Sequence, residues 1–179
     1  MTVLTEPGAI NVNEVKPREY HSLETADVIL SKDKISKICF VCTGNTCRSP
    51  MAAALYNHLF KDKKSFAVSL GLYAAKGQPI SDNAVIALSD YGIPSVPGNR
   101  YERHLSDIAT EDKLSDCDKI IGISDSHTLE LLGRFPRLAG KIMSMPKAIP
   151  DPYGGDLDCY KACLYEIEKG IKELFNLEY

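Results

Sequence analysis

Val41-Cys42-Thr43-Gly44-Asn45-Thr46-Cys47-Arg48-Ser49-Pro50 holds the residues of this sequence best suited to chemistry. Two thiols stand five positions apart, a Gly-Asn pair lies between them, and an arginine follows the second. Those types fit three kinds of site: a metal centre, a disulfide, or a nucleophile held in an anion cradle. Glycine and asparagine most readily take left-handed dihedrals, so Gly44 and Asn45 can bend the loop tightly and turn its N–H groups toward one point. A thiol facing those amides and the Arg48 guanidinium has its thiolate stabilised. The planar fork of Arg48 matches two oxygens of a phosphoryl group. A thiolate inside such a cradle is suited to phosphoryl transfer onto sulfur. The sequence lacks GxxxxGK[ST], so a nucleotide-binding P-loop is not expected.

The remaining cysteines and the composition bear on the other two kinds of site. Cys39, Cys117, Cys159 and Cys163 bring the total to six, an even number that would suit disulfides in a small secreted domain. At 179 residues, 44% of them hydrophobic, the chain is instead long enough for an ordinary single-domain core. The N-terminal MTVLTEPGAINVNEV has no basic head followed by an apolar run. No stretch approaches the roughly 20 apolar residues of a membrane helix. A cytoplasmic protein with reduced thiols is expected. The histidines, His21, His58, His104 and His127, are scattered without ligand spacing, so no structural metal site is expected. A net charge of −3 argues against broad attraction to nucleic acid or anionic lipid.

The elements around the loop are legible from residue 37 onward. Ile38 to Cys42 is a short continuous apolar run, as in a strand buried on both faces. Ser49 and Pro50 read as the cap and first residue of a helix carrying Met51, Leu55 and Leu59. The six residues Thr43 to Arg48 thus join a strand end to a helix N-terminus, where the helix dipole also favours an anion. Further strands are expected at Ser65–Leu70, Lys119–Ile123 and Lys141–Met145. Helices are expected after Ser81 or Asp82, after Thr110 and after Ser126. A last helix has Leu157, Tyr160, Leu164, Ile167, Ile171 and Leu174 in one apolar stripe. The order βαβαβαβα predicts a single α/β domain, with a four-stranded parallel sheet and helices on both faces. Residues 1–36 are polar and irregular, apart from Val28-Ile29-Leu30, and read as an extension to a domain at 37–179.

Cys42 through Pro50 resembles the signature of the low-molecular-weight protein tyrosine phosphatase family. Ser69-Leu70-Gly71 resembles that family's Ser-Ala-Gly, and His104-Leu105 and Asp151-Pro152-Tyr153 follow in the family's order, over residues 37–176. The resemblance implies a Rossmann-like sheet of the phosphotyrosine phosphatase I type. It implies a cysteine-dependent phosphatase acting on phosphorylated protein, with no metal and no cofactor. Cys42 would be the nucleophile, and Arg48 would clamp phosphate within the loop of Thr43, Gly44, Asn45, Thr46, Cys47 and Ser49. Asp151 would be general acid and then base. Leu72, Tyr73 and Tyr153 would wall the pocket beside Thr46. Asp156 and Asp158 read as solvated or capping carboxylates.

Tyrosine-directed members carry Ile or Val where this chain has Thr46. CTGNTCRSP and Asp151-Pro-Tyr-Gly-Gly instead resemble the protein-arginine phosphatases, so phosphoarginine is the expected substrate and phosphotyrosine the alternative. A polar, smaller Thr46 leaves room for a guanidinium and its N–H donors. An arsenate reductase would need a later relay pair of cysteines, which Cys117, Cys159 and Cys163 do not match. A phosphate carrier of similar architecture would lack the Asp-Pro-aromatic acid.

Cys47 is a redox candidate. Peroxide should oxidise the Cys42 thiolate to a sulfenic acid, which the Cys47 thiol then attacks with loss of water to give a Cys42–Cys47 disulfide. Mass mapping after peroxide treatment checks this; sulfonic acid at Cys42 with no crosslink rejects it.

Overall fold

The computed structural model describes residues 36–61 and 64–177. The expected extension over residues 1–36, with its Val28-Ile29-Leu30 run, lies outside them apart from Ser36. Four parallel strands form one sheet in the order β2-β1-β3-β4: β1 (Ser36–Cys42), β2 (Ser65–Gly71), β3 (Lys119–Gly122) and β4 (Ile142–Ser144). β1 lies between two partners and is covered on both sides, which explains its unbroken apolar run. Its side chains alternate: Ile38, Phe40 and Cys42 enter one core, Cys39 and Val41 the other.

Helices α1 (Arg48–Leu59), α2 (Asp82–Asp90) and α5 (Leu157–Leu174) cover the first face, burying Met51, Leu55, Leu88, Ile167 and Ile171. α3 (Glu111–Ser115) and α4 (Asp125–Arg134) cover the second, through Leu114 and Leu131. The α5 stripe packs as its spacing predicts, and the Asp156 side chain caps the helix by accepting from the Cys159 N–H at 3.0 Å.

This strand order places a reversal beside β1. The chain leaves β1 toward β2 on one side, through α1, and reaches β3 on the other, which continues into α4 on the opposite face. The loops after β1 and β3 therefore part at their carboxyl ends, the place where open α/β sheets hold ligands.

Two helix starts differ from the expected ones. α1 begins at Arg48, with Cys47 in the cap position and no side-chain cap. The Ser49 hydroxyl is turned inward, to Cys42 Sγ at 3.0 Å and the Leu70 carbonyl at 3.3 Å, so it does not cap the helix. The connecting loop is thus Thr43 to Cys47, one residue shorter than expected. α4 begins at Asp125, with Ser124 rather than Ser126 at its cap position.

Candidate active site

Burial of Cys42, which is 2% exposed, follows from its place as the last residue of the central strand. The Asn45 N–H points at its sulfur from 3.3 Å, and the Ser49 hydroxyl lies 3.0 Å away. Asn45 has φ of +58°, the left-handed conformation expected of this turn, and is fully buried. Its side-chain amide donates to Ser49 Oγ at 3.0 Å and Ser69 Oγ at 2.9 Å, while its Oδ1 accepts from the Asp107 N–H at 2.9 Å. Its carbonyl accepts from His104 Nε2–H at 2.9 Å. Every polar atom of this residue is engaged.

Gly71 makes room for that arrangement. A Cβ there would stand 2.7 Å from the Thr43 carbonyl oxygen and 3.0 Å from Asn45 Cβ. The strand end also holds the loop directly, since Leu72 and Tyr73 donate backbone N–H groups to the Cys42 and Thr43 carbonyls, each at 2.9 Å.

Arg48 sits in the first turn of α1, where its cation opposes the helix dipole and needs an anion. Asp151 supplies one: Arg48 Nη2 donates to its Oδ2 at 2.5 Å across 103 residues of sequence. The Arg48 side chain is 10% exposed and that of Asp151 52%, so the pair spans the mouth of the loop. A cleft of about 620 Å³ opens there, lined by the loop, Tyr73, Ser81, Asp82, Asp151 and Tyr153. The Asp151 Oδ1 also accepts from the Tyr153 N–H at 3.2 Å, which fixes the carboxylate over its own turn.

The structure brings Cys42, the loop Thr43–Cys47, Arg48, Asp151, Tyr73 and Tyr153 together along one cleft, with Ser49 against the Cys42 sulfur. Leu72 does not line the cleft: it is 1% exposed and packed in the second core, because alternation along the chain leaving β2 turns it inward. Its neighbour Tyr73 faces out, held by a hydroxyl bond to Glu130 and by the Arg134 guanidinium 4.3 Å from its ring centroid. Cys39 and Cys42 have the CxxC spacing of a metal or redox pair, but an odd separation on a strand sends them to opposite faces.

Ser69, His104, His127 and Tyr160 complete the site without a role assigned from sequence. Tyr160 of α5 places its hydroxyl 3.3 Å from Cys47 Sγ and accepts from Ser81 Oγ at 3.0 Å. His127 bridges Thr43 Oγ1 at 2.9 Å and Ser124 Oγ at 2.6 Å. Burial and then the Arg48 cation lower its pKa against the pull of Asp151 and Glu130. Burial also lowers that of His104, partly offset by its bond to the Asn45 carbonyl. Ser69-Leu70-Gly71 and His104-Leu105 stood out in the sequence without a role; His104, His127 and Tyr160 lie 59 to 113 residues from the loop atoms they touch.

Residues 37–178 match the family model described as low molecular weight phosphotyrosine protein phosphatase. The chain belongs to this family. A protein-arginine-phosphatase of Bacillus subtilis is 30% identical over 147 residues, covering 76% of this chain and 93% of its own length. The low molecular weight protein-tyrosine-phosphatase PtpB of Staphylococcus epidermidis is 29% identical over 144 residues, covering 76% and 96%. The crystal structure of the low molecular weight protein tyrosine phosphatase from T. tengcongensis matches with a TM-score of 0.72 at 33% identity, covering 79% of this chain and 98% of that one. Low molecular weight phosphatases are cysteine-dependent and act on phosphorylated protein, and so does this member. The two relatives are named for different phosphorylated residues at nearly equal identity, so the choice of substrate has to come from the site.

Two outcomes follow from this geometry. Gly71→Ala pushes the Thr43 carbonyl and Asn45 aside and should lower kcat/KM by about 10–100-fold, with the far-UV spectrum unchanged; full activity would show that the close approach is dispensable. Both histidines have folded pKa values below the ordinary ~6.5, so the unfolded chain binds protons there that the folded chain does not. Their contribution to stability is present above that pH and is lost as pH falls through the folded values. The urea midpoint should drop between pH 7 and pH 5, and drop less in His104→Gln; an identical slope in the variant rejects the assignment.

Proposed function

We propose that this phosphatase hydrolyses phosphoarginine on proteins through a phosphocysteine formed at Cys42. The reading is carried by Thr46, which lines the same cleft as Cys42, Arg48 and Asp151 and puts a hydroxyl where an aliphatic residue would favour a phenyl ring. In the first step the Cys42 sulfur attacks phosphorus while the loop N–H groups and Arg48 hold the equatorial oxygens, where transition-state charge gathers. The P–N bond breaks and Asp151 gives its proton to the leaving nitrogen. That proton is essential, because a guanidine leaves poorly as the anion of so strong a base.

In the second step water attacks the phosphocysteine and returns a proton to Asp151. The P–S bond breaks, phosphate departs and the thiolate is restored, stabilised by the Asn45 N–H and the Ser49 hydroxyl. An entering phosphoryl group competes with Asp151 for Arg48, and the released carboxylate takes from solvent the proton that it then gives to the leaving nitrogen. Tyr73 and Tyr153, which are 62% and 79% exposed, offer faces on which a planar guanidinium stacks. The same two faces suit a phenyl ring, so phosphotyrosine is the second reading, served by the same machinery.

A paired assay on phosphoarginine and phosphotyrosine peptides tests the substrate. Wild type should prefer phosphoarginine, and Thr46→Ile should shift the ratio of kcat/KM by about tenfold or more toward phosphotyrosine. Equal ratios in both proteins reject the role of Thr46. Cys42→Ser should abolish both activities with the thermal unfolding curve retained; residual turnover overturns the mechanism.

A further inference from the structure

Three charged side chains line the cleft among the described residues: Arg48, Asp151 and Asp82. That balance is unexpected for a site receiving a phosphoryl dianion. Arg48 is already paired with Asp151, so Asp82 leaves the lining net negative, and a Cys42 thiolate makes it more so. The phosphoryl group itself is served by loop amides and Arg48, so nothing about phosphate binding calls for a further carboxylate.

Asp82 is exposed and opens α2. Among the described residues its carboxylate has no hydrogen bond and no ion pair. Its position relative to the loop is fixed, because the preceding residue, Ser81, donates its backbone N–H to the Thr46 carbonyl at 2.9 Å and its hydroxyl to Tyr160 at 3.0 Å. The unpaired carboxylate is therefore tethered next to the residue that carries the choice of substrate. A place in the first turn of α2 stabilises the helix through its dipole, but it does not require the side chain to line the cleft.

We propose that Asp82 is a specificity-determining residue that selects a cationic substrate, pairing with the guanidinium of phosphoarginine while Asp151 serves the leaving nitrogen. This inference rests on the phosphoarginine reading given above. An aryl phosphate brings only negative charge into the cleft and is repelled by Asp82. Phosphoarginine brings a cation with its phosphate and is attracted. The carboxylate thus acts twice, once for the right substrate and once against the wrong one.

The test compares wild type, Asp82→Asn and Asp82→Glu on a phosphoarginine peptide and on p-nitrophenyl phosphate, at low ionic strength where an exposed charge is least screened. Asp82→Asn should lower the ratio of the two kcat/KM values by about fivefold or more, losing phosphoarginine turnover and gaining aryl phosphate turnover. Asp82→Glu should keep the wild-type ratio, and added salt should shrink the difference between wild type and Asp82→Asn. Equal loss on both substrates marks a structural role at the start of α2 and overturns the proposal, as does an unmoved ratio. If wild type hydrolyses phosphotyrosine peptides but not phosphoarginine, the substrate reading falls and takes this inference with it. If wild type prefers phosphoarginine and Asp82→Asn keeps that preference, only the role of Asp82 falls.

Discussion

With no exposed surface and a left-handed backbone, Asn45 joins the loop to four other parts of the chain through five hydrogen bonds. The left-handed conformation costs an L residue about 1–2 kcal/mol, less for asparagine. Each of those bonds contributes about 1 kcal/mol, and losing the ones to buried Cys42 and Ser49 would leave a buried group unsatisfied, which costs more. The network therefore outweighs the strain and fixes one loop shape. Gly71 and Ser69 from β2, the 104–107 segment and Ser49 of α1 all depend on that shape for their own hydrogen bonds or clearance. Preorganised amides are what a developing oxyanion needs, since none has to turn toward it during reaction.

The second constraint is charge. A guanidinium buried at a helix start is doubly unfavourable, by desolvation and by the dipole, and Asp151 compensates it from the far end of the chain. The same contact places the Asp151 carboxylate within reach of whatever the guanidinium holds. His127, kept neutral by burial and by Arg48, touches Thr43 without adding a second cation to the loop. The result is a cleft whose positive field comes from amides and one arginine, surrounded by carboxylates.

Much of this could be read from the residues. The continuous run before Cys42, the left-handed turn at Asn45 (Gly44 does not share it) and the α5 stripe each follow from local rules, and they predict the sheet, the loop and the covering helix. Leu72, expected among the pocket walls from the resemblance, packs into the second core instead, because alternation along the chain decides which side chain faces out. A serine before proline is usually a helix cap, but the Ser49 hydroxyl goes to the Cys42 sulfur instead. His104-Leu105 stands out as a motif without showing what it touches, and His127 and Tyr160 have no local sign, since each contact is set by a partner on a distant segment.

That separation has a consequence for how the protein is made. Arg48 and Asp151 are 103 residues apart, and Cys47 and Tyr160 are 113 apart, so closing the site means closing most of the chain. Parallel strands joined through helices already demand non-local contacts before they give stability, which slows folding. As synthesis proceeds, β1, α1 and β2 emerge early, with the Cys42 thiol carried at the end of an unfinished sheet. Asp151 and Tyr160 arrive only with the last third of the chain. Closure of the cleft beside Cys42 is therefore a late event in the making of the polypeptide, since a chain halted before Asp151 lacks the partners of both Arg48 and Cys47.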